Sequence, residues 1–97
     1  MTKHMTETEF RHRLAKRAVA LPEFITSERG RAEFKPHAEL VRLSDAISDG
    51  RSLKEIALRA WTYQDTHDLP VVVAARMRTI YRRIMRFTAQ PDVEGVA

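Results

Sequence analysis

The chain of 97 residues predicts an all-α domain. Apolar residues recur at spacings of three and four in four successive stretches, and each stretch opens at a capping residue or a proline. Three glycines are also too few for a loop-rich all-β domain, and 43% hydrophobic residues are too many for a disordered tail. One domain covering 1–97 is expected, with 1–5 and 91–97 as flexible ends.

The first helix opens at Thr6, because Thr6-x-x-Glu9 has the spacing of a capping box, in which each side chain satisfies an otherwise unpaired amide. Phe10, Leu14, Ala18 and Leu21 follow at helical spacing, and Pro22 ends the helix or starts a new turn. Residues 22–35 leave two descriptions open, one or two short helices or an irregular connection. Phe24, Ile25 and Phe34 read there as core anchors, and Gly30 as a break in any long helix.

Pro36 suits the first turn of a second helix, where a missing amide costs nothing. Leu40, Val41, Leu43 and Ile47 supply its apolar side and Gly50 its stop. A second capping box, Ser52-x-x-Glu55, opens the third helix, which fades between Gln64 and Asp68. Leu53, Ile56, Ala57, Ala60 and Trp61 point one way, so Trp61 is expected in the core. Tyr63 is the better surface candidate of the aromatic residues. The fourth helix takes Asp68 as its N-cap and Pro70 in its first turn, and runs to about Thr88. Pro91 and the residues after it read as a frayed tail.

The formal net charge of +4 is unevenly placed. Residues 1–34 hold seven basic and five acidic side chains, residues 35–70 five and six, and residues 71–97 five and two. The excess therefore concentrates near the C-terminus. On the last helix Val73, Met77, Ile80, Ile84 and Phe87 form a core stripe. Arg78, Arg82 and Arg86 lie four apart on the opposite face, a row of roughly 12 Å at 1.5 Å per residue. Arg76 and Arg83 flank the stripe, and no carboxylate on this helix is placed to pair with any of the five.

A row of guanidiniums engages phosphates or carboxylates bidentately; the plainer alternative is a solvated face paired with Glu39, Asp45 or Glu55. Like charges four apart repel by a few tenths of a kcal/mol, a cost that binding would explain. The leading expectation is a regulatory or accessory nucleic-acid-binding protein, DNA ahead of RNA. Arg78, Arg82 and Arg86 would contact phosphates, supported by Arg76, Arg83, Lys54 and Arg59. The competing expectation is a non-enzymatic interaction or inhibitor protein whose arginine helix docks on an acidic partner surface.

Ser52-Leu53-Lys54-Glu55-Ile56-Ala57 resembles the opening of the second helix in helix-turn-helix regulators, where a small residue such as Ala57 lets the next helix pack closely. That resemblance implies a DNA-binding C-terminal half. The chain departs from the pattern in two ways. Thr62 to Leu69 is longer than the usual turn and has no glycine. The last helix also opens on Val71, Val72 and Val73, where a recognition helix carries its base-reading residues.

Other chemistry is discounted. With no cysteine, disulfides, Cys-based zinc sites and thiol catalysis are excluded. His4, His12, His37 and His67 form no metal-binding spacing, so no metal or cofactor is expected. Ser52, Asp65 and His67 make only a nominal triad, since Ser52 serves as a cap, and no catalytic residue is assigned. The longest apolar run, Val71 to Ala75, is far short of the roughly 20 residues of a membrane span, and Met1 to Met5 opens no signal sequence. A cytoplasmic protein without a membrane partner is expected. The Val71–Ala75 cluster is apolar all round the helix, which makes Val71 and Val72 candidates for an interface, including self-association.

Overall fold

A computed structural model of the chain describes residues 5–33 and 37–89, and these contain five helices and no strand. They are α1 (Glu7–Val19), α2 (Glu28–Glu33), α3 (Ala38–Ser48), α4 (Leu53–Thr66) and α5 (Val71–Ala89). The expectations for 1–4 and 91–97, and for Phe34 and Pro36, concern residues outside those described.

The Glu9 amide donates to Thr6 Oγ1 at 3.1 Å, as the capping-box spacing requires. The Glu9 carboxylate accepts from the Thr6 hydroxyl at 3.2 Å and not from the Thr6 amide, so only half of the expected reciprocal box forms. Helix α1 stops at Val19, so Leu21 lies beyond it. Ala20 is already extended, and a residue before proline disfavours the helical region. The Ile25 amide then donates to the Pro22 carbonyl at 3.0 Å. This turn buries Pro22 and half-buries Ile25 but leaves Phe24 75% exposed, so Phe24 is not the core anchor its hydrophobicity suggests. Gly30 lies inside α2, a helix of only six residues, so the short-helix description holds and no long helix runs through it. A Cβ there would sit 2.7 Å from a methyl of Ile25, so the missing side chain makes room for that isoleucine.

Helix α3 begins at Ala38, two residues after Pro36. Its cap is His37, whose Nδ1 accepts from the Glu39 amide at 3.0 Å. Its far end closes on Gly50, at φ 82°, with the Arg51 amide bonded to the Ala46 carbonyl and the Gly50 amide to that of Ile47. That pair of bonds is the Schellman arrangement, and it needs a left-handed residue at Gly50. Helix α5 starts one residue later than its proline, since the Pro70 carbonyl accepts from the Val73 and Ala74 amides, both at 3.0 Å. Pro70, not Asp68, is therefore the cap position.

The four longer helices form a closed ring in which α1 packs on α3, α3 on α4, α4 on α5, and α5 back on α1. Between α1 and α3, the Ser44 hydroxyl donates to the Ala15 carbonyl and Arg11 to the Ile47 carbonyl. Between α4 and α5, Trp61 packs on Tyr81 and Arg78 donates to Gln64, which aligns the two helices antiparallel. Phe10 stacks on Phe87 at 4.2 Å and closes α1 against α5. The enclosed core consists of Leu14, Ala15 and Ala18 of α1, Leu40, Leu43 and Ile47 of α3, Leu53, Ile56, Ala57 and Ala60 of α4, and Val73, Met77, Ile80 and Ile84 of α5. No described helix is long and apolar enough to cross a membrane.

Candidate functional site

Core burial of Val73, Met77, Ile80 and Ile84 fixes the rotation of α5 and so decides where its arginines go. Arg82, Arg83 and Arg86 are exposed and have no hydrogen-bond or ion-pair partner among the described residues. Arg78 is half-buried and donates from Nη1 to Gln64 Oε1 at 3.1 Å, which holds it beside α4. The row of three expected on the outer face therefore exists as two free guanidiniums and one tethered at its α4 edge.

Two of the supporting cations are engaged within the fold. Arg76 donates from Nη1 to the carbonyls of Arg17 and Ala20 at the end of α1, the latter at 2.9 Å. Its pKa is lowered by burial first and by the Arg17 charge second. Cationic donors suit helix C-termini, where the last carbonyls lack intrahelical partners. Arg59 donates from Nε to Glu39 Oε2 at 2.5 Å and from Nη2 to Oε1 at 3.1 Å. Glu39 is 1% exposed and also accepts from Arg42 at 3.5 Å. The Arg59 hydrogen bond holds the Glu39 carboxyl below its ordinary pKa, against an opposing push from burial. Lys54 is exposed in the first turn of α4.

Trp61 departs from expectation, being 40% exposed instead of buried. It sits one residue past Ala60, about 100° further round α4, at the rim of the α4–α5 seam, where its ring lies 4.9 Å from Tyr81. Exposed Leu58 and Met85 lie on the same two helices. Tyr63 is half-buried and stacks on His67 at 3.8 Å. In the valine cluster the domain covers Val73 and half-buries Val72, which packs against the core. Val71, at 83% exposed, is the part of the expected interface left open.

Sequence reasoning passed over the cations of α1. Arg13, Lys16 and Arg17, at i, i+3 and i+4, line a cleft of about 400 Å³ with Arg83 from α5. The spacing was the available signal; what it lacked was the identity of the neighbouring helix. A second, more open concavity of about 410 Å³ lies over α4 and the start of α3, beside Glu39, Arg59, Tyr63 and His67.

Ser52 and His67 cap opposite ends of α4, about 20 Å apart at 1.5 Å per residue, so they cannot share a proton. Among the described residues no group of three or more His, Asp or Glu side chains is placed to hold a metal ion. The chain matches no family model, no curated protein and no solved structure.

Proposed function

We propose that this chain is a small nucleic-acid-binding protein of regulatory or accessory type, acting in the cytoplasm and contacting phosphates through the outer face of α5. The observation that carries the reading is the set of exposed guanidiniums Arg82, Arg83 and Arg86, which have no partner among the described residues. Arg78 contributes at the α4 edge, with Lys54 at the margin. Arg59 and Arg76 act indirectly, by fixing α4 on α3 and α5 on α1. Neutralising phosphates releases condensed counterions, so the affinity falls steeply with salt.

The helix-turn-helix likeness contributes the order of two helices and a connection of residues 67–70, shorter than the expected Thr62 to Leu69 because α4 continues to Thr66. The antiparallel alignment of α4 and α5 keeps the N-terminal turn of α5, with its three valines, beside the end of α4. This geometry favours duplex backbone contacts over base readout.

Fluorescence anisotropy with labelled duplex DNA and with RNA, each at two salt concentrations, tests the proposal. Replacing Arg78, Arg82 and Arg86 together by alanine is expected to remove binding at low salt while helical content is kept. Any residual binding should have a salt slope shallower by about 2.7, at about 0.9 per lost duplex contact. Exposed Trp61, Leu58 and Met85, on α4 and α5, favour one second reading, an acidic protein partner with an apolar anchor point. No binding to DNA or RNA at low salt overturns the first reading in favour of the second.

A further inference from the structure

Helix α1 presents Arg13, Lys16 and Arg17 toward the cleft it forms with α5, where Arg83 completes the set. None of the four side chains has a hydrogen-bond or ion-pair partner among the described residues, and no described carboxylate lines the cleft. The acids of α1 lie elsewhere in its bonding pattern: Glu7 pairs with Arg11, and Glu9 serves the Thr6 cap. The rest of the lining is apolar, including Phe10 and Leu14. Four like charges around one concavity repel each other, and apolar neighbours offer no counter-charge. The arrangement gains most from a multivalent anion seated among them, and guanidinium forks match the geometry of phosphate oxygens.

We infer that the α1–α5 cleft is a second phosphate-binding site, and that it holds a backbone phosphate of the same nucleic acid that the α5 face engages. This rests on the function proposed above and extends it to residues of a different helix. Arg83 joins the two areas, since it lines the cleft while its neighbours Arg82 and Arg86 belong to the outer face. The contact surface thus wraps round α5 instead of running along one side of it. Arg13 and Arg17 contribute only exposed side chains, so both can be exchanged without disturbing the core.

The test compares the full chain with Arg13→Gln/Arg17→Gln and with Arg82→Gln/Arg86→Gln, by anisotropy on labelled duplex DNA across a salt series. Circular dichroism confirms that each variant is folded. The α1 variant is expected to bind more weakly, with the slope of log K against log salt shallower by about 1.8, two contacts at about 0.9 each. An unchanged slope and affinity in the α1 variant, while the α5 variant weakens, overturns the inference and leaves the proposed function standing. Loss in the α1 variant alone keeps the cleft as a phosphate site but overturns the shared engagement with the outer face, and with it the α5 reading proposed above. No binding by the unaltered chain at low salt overturns both.

Discussion

Replacing Arg59 by methionine should cost the fold more than replacing its partner Glu39 by methionine, although both remove the same ion pair. The asymmetry follows from burial: the Glu39 side chain is 1% exposed and that of Arg59 57% exposed. Without Arg59 the carboxylate stays in the interior with only Arg42, at 3.5 Å, to serve it. Stranding one member of a buried pair costs about 3–5 kcal/mol. Arg42 is largely exposed and one helical turn away, so it can move in and reduce that cost to about 2–3 kcal/mol. Without Glu39, the Arg59 guanidinium returns to water and methionine fills the vacated volume, at a cost below about 1 kcal/mol. The double variant should therefore resemble Glu39→Met. Urea unfolding followed by helical circular dichroism measures all three. A Glu39→Met penalty equal to or larger than that of Arg59→Met would refute the reasoning.

The same pair sets a pH signature. In the unaltered chain the Glu39 carboxyl is held below its ordinary value, chiefly by the Arg59 hydrogen bond. The stabilisation is thus complete above the ordinary value of about 4.3. It is lost as the pH falls through the lowered folded-state value. In Arg59→Met the largest lowering cause is gone and burial is opposed only by Arg42, so the deficit relative to the unaltered chain is largest at neutral pH and shrinks on acidification.

Arg76→Met should lower stability by about 1–2 kcal/mol in the same urea assay, because two carbonyls at the end of α1 lose their donor. An unchanged midpoint would mean that water replaces the guanidinium at no cost. For the stacked pair Phe10 and Phe87, a double-mutant cycle to alanine should give a coupling of about 0.5–1.5 kcal/mol. Strict additivity would show that the rings share a surface without interacting.

Much of the helical framework was legible because its signals are local. Thr6 and Ser52 accept from Glu9 and Glu55 as their spacings predict, although the second bond is long at 3.4 Å. The stripe from Val73 to Ile84 oriented α5 correctly, and with it Arg82 and Arg86. What escaped depended on which helix lies beside which. Arg76 and Arg83 read alike on a helical wheel, yet one meets the carbonyl end of α1 and the other meets a cleft. Glu39 read as a surface partner for the arginine helix, but α4 covers it and supplies Arg59 instead. Trp61 reads as a core residue by its helical spacing and Phe24 by its hydrophobicity, whereas a rim position and the turn from Pro22 to Ile25 keep them at the surface.

The bond from Arg76 to the Arg17 carbonyl spans 59 residues of chain, while that from Arg78 to Gln64 spans only 14. Closing the longer loop costs about 1.3 kcal/mol more in chain entropy. The α4–α5 hairpin is therefore the cheaper contact to form, and α1 reaches α5 across more than half of the sequence. The cations of α1 and those of α5 become neighbours only at that final closure. A half-assembled chain can show the outer arginines, but the combined charged surface exists only in the finished fold, so the nucleic-acid binding proposed above is expected to be strongest in the fully assembled chain.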